Sequence, residues 1–308
     1  MGLRIKTNVM SLIAQRHFGA SGAKMAKHME RLSSGERINR AADDAAGFAI
    51  SEVLRADIRS LAQAKRNTND GVSLIQVAEG GLSEIGNIMI RLRELAIQSA
   101  SDTIGPRERG YLNREFIALK DEMDRIAVST EFNGSRLLTG QAELPESLLE
   151  DHTFPPLEIQ VDKDYIVDVD AADIPNPLDI IKLDFSNMNL MTEGEGSLNL
   201  GNARNEEGAR VDSKDQAQMA IARIDDAMKK VSSYRAGLGA MQNRLESADR
   251  NLSIRIENLG SARSRIRDAD FATETSEFTQ QSILNQAGAS VLTQANQLPQ
   301  VALQLLQG

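Results

Sequence analysis

Several side chains in this sequence have the types and spacing that chemistry uses. Asp43 and Asp44 are adjacent carboxylates that follow Ser33, Ser34 and Gly35 and two closely spaced arginines, Arg37 and Arg40. Neighbouring carboxylates can shift each other's pKa and act as a metal or acid-base dyad. Side chains at i and i+1 do not converge on one face of a helix, however. At the start of an apolar periodic segment, carboxylates satisfy free N–H groups and favour the positive dipole end. Asp43 and Asp44 are therefore expected to cap a long helix beginning at Ala45.

The run DKDYIVDVD, Asp162 to Asp170, has the spaced acids of a calcium loop. Its sixth position is Val167, where the turn needs Gly, and its twelfth is Asp173, which falls short of the bidentate Glu. Alternation of Tyr165, Val167 and Val169 with polar residues fits a strand with one wet face better. His17, His28 and His152 share no H-E-x-x-H arrangement or metal-like spacing, so no metal is expected. SSGE and GLG are too short for a phosphate cradle, and no Ser-His-acid set can be assigned. Cysteine is absent, which removes thiolate catalysis, Cys-ligated metals and disulfides. The chain is expected to be no enzyme, with no cofactor and no small-molecule substrate.

The elements that position these residues are long helices. There is no Trp and only 3 Tyr and 8 Phe, so Leu, Ile, Val, Met and many Ala must supply the core, and small side chains suit close helix contacts. From Leu54, a seven-residue step lands on Leu61, Thr68, Ile75, Leu82, Met89 and Ala96, with Ala64, Ala78, Ile85 and Leu92 three further on. This a/d seam predicts a helix from about Ala45 to Ala100, about 80 Å long at 1.5 Å per residue. The same step from Ala217 gives Ile224, Val231, Leu238, Leu245, Leu252, Leu259 and Ile266. Two matched seams predict flanks that pair lengthwise.

Between them SASDTIGPRERG breaks the helix, and Leu112, Phe116, Leu119, Met123 and Ile126 predict a third helix returning antiparallel to the first. An Asn-Gly turn in TEFNGSRLLTG follows. The segment 140–212 carries 4 basic and 17 acidic side chains, whereas both flanks are nearly neutral. Short strands are expected there, Leu183 and Phe185 around Asp184 among them, with loops at Pro155, Pro156, Pro175 and Pro177. Confinement of the acidic excess to one segment argues against nucleic-acid binding, which needs a basic face. It points to a solvated insertion.

The ends carry apolar stripes with little to cover them: Val9, Leu12 and Ile13, then Met25, Met29 and Leu32, and at the other end Leu284, Val291, Leu298 and Leu305. Such helices are marginal alone and are expected to be disordered until association. The predicted fold is mainly α: a long antiparallel coiled-coil-like bundle with a small β-containing insertion and terminal helices disordered in the monomer. The N-terminal stretch has no signal-peptide core, and no stretch approaches the ~18 apolar residues of a membrane span.

RLSSGERINRAADDAAGFAISEVLRADIRSL, RNTNDGVSLIQVAEGGLSEI, IMIRLRELAIQSASD, TEFNGSRLL, NRLESADRNL, SARSRIRDADFATE and GASVLTQANQLPQVALQLL together resemble bacterial flagellin, a short form with a reduced outer region. The likeness covers about 3–140 and 212–307, in the family's order, and leaves only the acidic middle without a counterpart. It implies a homopolymer, the structural subunit of the motility filament, exported unfolded through the flagellar type III channel and assembled below a cap protein. An export chaperone and the hook-junction proteins are implied partners.

The resemblance divides the chain into inner-core helices (1–43 plus 269–308), a helical rod (44–140 plus 212–268) and an acidic surface insertion (141–211). Subunit assembly is expected to use Leu12, Met25, Met29, Leu32, Arg37, Arg40, Leu284, Val291, Leu298 and Leu305. Arg91, Leu95 and Glu122 match positions that an animal Toll-like receptor grips in related flagellins. The alternative is a hook-filament junction protein of the same superfamily. Location is expected to be the extracellular filament, with sheathed and periplasmic filaments left open.

Overall fold

The computed structural model describes residues 8–140, 157–163, 179–194, 196–201 and 208–307, with only the backbone described from 298 onward. Tyr165, Val167, Val169 and the four loop prolines lie outside these residues, as do His152 and most of the calcium-like run. The elements in chain order are α1 (Val9–Ser34), α2 (Ala45–Ser99), α3 (Pro106–Ser129), β1 (Glu131–Phe132), β2 (Ser135–Arg136), β3 (Leu157–Gln160), β4 (Ile180–Leu183), α4 (Lys214–Arg267) and α5 (Phe271–Gln307). The chain forms two compact units, 1–58 with 257–308 and 59–256.

In the larger unit α2, α3 and α4 form an antiparallel bundle. Lys65 meets Ser253, Glu79 meets Arg235 and Arg93 meets Asp225, so α4 descends as α2 ascends. Arg91 meets Glu115, which fixes α3 antiparallel on another flank of α2. Both seams are buried where predicted within this unit: Leu61, Ile75, Leu82, Met89 and Leu92 on α2, and Ala217, Ile224, Leu245 and Leu252 on α4. Phe116 and Met123 bring α3 into the same core. Pro106 opens α3, where its missing N–H costs nothing.

β1 and β2 form a hairpin around Asn133 and Gly134, whose φ values of 50° and 80° are those of the tight turn expected from Asn-Gly. β3 and β4 pair antiparallel, Leu157 opposite Leu183 and Ile159 opposite Ile181. β3 has no counterpart among the sequence expectations. The strand expected around Asp184 ends one residue earlier, at Leu183, while Phe185 is buried beyond it.

In the smaller unit α1 and α5 run antiparallel against each other. Asn8 reaches Ala295, Ser21 reaches Gln281 and His28 reaches Glu274. α1 stops at Gly35, which adopts the left-handed conformation (φ 71°) and returns its N–H to the Arg31 carbonyl. The chain then crosses to α2 beside the α4–α5 turn: Arg37 N–H donates to the Arg267 carbonyl over 2.6 Å, and Ala269 N–H to that of Gly35 over 3.0 Å. The expected break at Ser33 to Gly35 is therefore a joint.

Candidate assembly surface

The acid pair of the joint divides its work. Asp44 Oδ1 accepts from Gly47 N–H at 2.9 Å and caps α2. Asp43 is the correction to the expectation of two caps: it sits 2.6 Å from Lys27 Nζ and accepts from Arg40 N–H. The Lys27 hydrogen bond outweighs burial and holds the Asp43 carboxyl below the usual range. Adjacent side chains diverge, so one reaches the helix end and the other reaches α1.

Arg37 and Arg40 also find partners within the chain. Arg37 donates to the Ile266 carbonyl at 2.7 Å, and Arg40 pairs with Glu30 at 2.8 Å.

Small and polar groups make several of the contacts between α1 and α5. Ser11 Oγ donates to Asn296 Oδ1 at 2.7 Å, Asn8 Nδ2 to the Ala295 carbonyl at 2.7 Å, and Gly288 lies against the Phe18 ring. Toward the joint, Glu274 binds His28 Nδ1 at 2.6 Å and Arg31 Nη1 at 2.8 Å. Burial pushes the Glu274 carboxyl up, but the hydrogen bonds from His28 and Arg31 prevail and hold it low.

Several large apolar side chains face elsewhere. Leu12 is 57% exposed, Met29 55%, Val291 54% and Leu284 48%. Met25 and Leu32 are partly buried, and the side chains of Leu298 and Leu305 lie outside the described residues. Among the described residues, ten of the eighteen exposed large hydrophobics belong to α1 and α5. Phe271, Ile283 and Leu284 line an open groove along α5. Soluble chains do not usually gather this much exposed apolar surface without a partner for it.

Of Arg91, Leu95 and Glu122, Leu95 is not on the surface. Leu95 is fully buried in the core, Arg91 is clamped by Glu115 and Glu94, and Glu122 by Arg125. Leu95 falls outside the a/d seam, but α2 is covered on two flanks, so its buried stripe is wider than a two-helix seam.

Sequence reasoning missed two groups. Lys120 is 1% exposed and donates to the carbonyls of Leu200 and Ala209 at 3.0 and 3.3 Å, tying the insertion to α3. Its position between Phe116 and Met123 on the buried stripe was the available signal. His28 with Glu274 and Glu277 forms the second, and His28 is too far from the two glutamates in the chain for any spacing rule.

Residues 5–143 match the family described as bacterial flagellin N-terminal helical region, and 221–306 its C-terminal helical region. A flagellin of Halalkalibacterium halodurans is 43% identical over 98% of this chain and 99% of its own length. A flagellin of Bacillus subtilis is 40% identical over 99% and 100%. A flagellar filament 33 kDa core protein of Treponema phagedenis is 38% identical over 98% and 99%. These names favour a filament subunit over the hook-filament junction alternative. With paired terminal helices, exposed apolar arms and full-length relatives of this kind, the chain belongs to the bacterial flagellin family.

Proposed function

We propose that the outward apolar faces of α1 and α5 are the surfaces by which copies of this chain bind one another. As a flagellin, the chain is a structural subunit of the flagellar filament, an extracellular appendage for motility, and it polymerises with itself. The observation that carries the finer reading is the division of labour on the two arms. Small and polar groups such as Ser11 and Asn296 make contacts between α1 and α5, while Leu12, Met29, Leu284 and Val291 stay exposed. Burying the exposed half of each such side chain is worth about 1 kcal/mol, available only when another copy covers it.

Without that cover the arms are marginal helices. We read 1–43 and 269–308 as the inner layer that orders on assembly, 44–140 with 212–268 as the helical layer outside it, and 141–211 as the surface insertion. Disordered arms suit unfolded export through a type III channel with a chaperone, and the same faces suit the cap and hook-junction proteins. Contact with a Toll-like receptor would rest on Arg91 and Glu122, since Leu95 is buried. The role is mechanical: among the described residues no nucleophile, base and oxyanion set stands behind a catalytic one.

Seeded filament growth tests this. Wild-type chain added to filament fragments should elongate them, and Val291→Asp should slow elongation at least about tenfold while its melting remains that of wild type. Normal elongation by Val291→Asp would remove the outward face from the interface.

A further inference from the structure

The geometry points to a zinc-binding clasp between the two terminal helices, formed by His28 of α1 with Glu274 and Glu277 of α5. His28 Nδ1 lies 2.6 Å from Glu274 Oε2 and 3.4 Å from Glu277 Oε2. One ligand atom from each of the three residues falls within 4.8 Å of the others. Bonds of about 2.0–2.1 Å in a tetrahedral zinc site place neighbouring ligand atoms about 3.3 Å apart. The His28 to Glu277 separation already has that value, and the Glu274 oxygen needs to retreat by about 0.7 Å when the metal replaces the proton it shares with His28.

The surroundings fit a metal in other respects. Arg31 Nη1 holds the second Glu274 oxygen, Oε1, at 2.8 Å, which orients the carboxylate and leaves Oε2 for the ion. The side chains of His28 and Glu274 are 12% and 8% exposed, whereas that of Glu277 is 52% exposed. Two ligands are thus preset in a sheltered seam and the third stands at its mouth, where an ion enters and water completes the coordination. One imidazole with two carboxylates selects a borderline ion such as Zn²⁺ over the hard ions Mg²⁺ and Ca²⁺. Because the ligands come from both helices, the ion binds only while they are paired and stabilises the pair by linkage. The inference depends on the assembly reading only in that the filament is the state in which the pairing persists.

Zinc binding by the full chain, as soluble protein and as pelleted filaments, decides the matter with a competing fluorescent chelator. The expected result is one Zn²⁺ per chain in the filament, with affinity falling at least about tenfold in both His28→Gln and Glu277→Gln. Zn²⁺ should raise the thermal depolymerisation midpoint of wild-type filaments, and a chelator should reverse the shift. Glu277 is largely exposed, so its variant keeps the fold and serves if His28→Gln impairs pairing. Absence of stoichiometric zinc in both states, zinc binding by the two variants as tight as that of wild type, or equal occupancy by Mg²⁺ would overturn the clasp. Failure of wild-type chain to pellet as filaments counts against the assembly reading alone, because zinc is read in the soluble chain as well.

Discussion

Arg267 Nε and Glu36 Oε2 lie 2.8 Å apart at the joint, and the same guanidinium reaches Glu52 Oε1 through Nη1. Phe48 lies against it, its ring centre 5.4 Å away. One planar side chain thereby ties the segment after α1, the start of α2 and the end of α4. The Glu52 hydrogen bond, foremost, raises the Arg267 pKa against the effect of burial. Lysine offers a point charge instead of a fork and cannot hold both carboxylates in this geometry. Arg267→Leu is expected to lower the unfolding free energy by about 1–2 kcal/mol, a value reduced by the water that reaches both glutamates. Arg267→Lys should recover less than half. Urea titration of the full chain checks both, and an Arg267→Leu chain as stable as wild type would reduce the clasp to a surface ion pair.

Lys120 makes stability depend on alkaline pH. Burial brings its pKa down to about 8 from the usual 10.5. Between those values the unfolded chain binds more protons than the folded one, so stability rises as pH passes upward through 8, by at most about 3 kcal/mol. Burial raises the pKa of Asp124 beside it. Unfolding free energies at pH 7.5 and 9.5 should therefore increase in the wild type, and Lys120→Met should flatten the slope. The same slope in both would mean that another group titrates there.

The seam predicts a sharp contrast along one helix. Leu82 is fully buried and Ile90 is 50% exposed, both on α2. Leu82→Ala is expected to cost about 2–5 kcal/mol through lost transfer energy and a cavity. Ile90→Ala should leave the melting temperature of the monomer nearly unchanged. Comparable melting temperatures for the two variants would place the wrong face of α2 in the core.

How much of this was legible depends on how far a signal reaches along the chain. Leu61 to Ala96 and Ala217 to Leu252 announce their helices because burial of one stripe forces a seven-residue repeat. Asn133-Gly134 and Gly35 announce turns because few residues accept positive φ. β3 has four residues and alternates only weakly, so nothing local marks Leu157 to Gln160 as a strand. Lys120 reads as surface by its charge, although the carbonyls that accept from it belong to a segment some eighty residues on. His28 and Glu274 meet across 246 residues, and only the pairing of the arms brings them together.

Asp43 and Asp44, adjacent and alike in sequence, should separate cleanly under substitution. Asp44 caps α2 through Gly47 N–H, and loss of such a cap costs about 1 kcal/mol. Asp43 instead pairs with Lys27, whose side chain is 49% exposed, so water screens most of that attraction. Asp44→Ala is expected to lower stability by about 1 kcal/mol and to speed amide exchange in the first turn of α2. Asp44→Asn should retain most of the stability, because its side-chain oxygen still accepts. Asp43→Ala should leave that first turn protected and speed exchange near Lys27 at the end of α1. Amide exchange read residue by residue distinguishes the two, and identical patterns would mean that both acids serve one helix end after all.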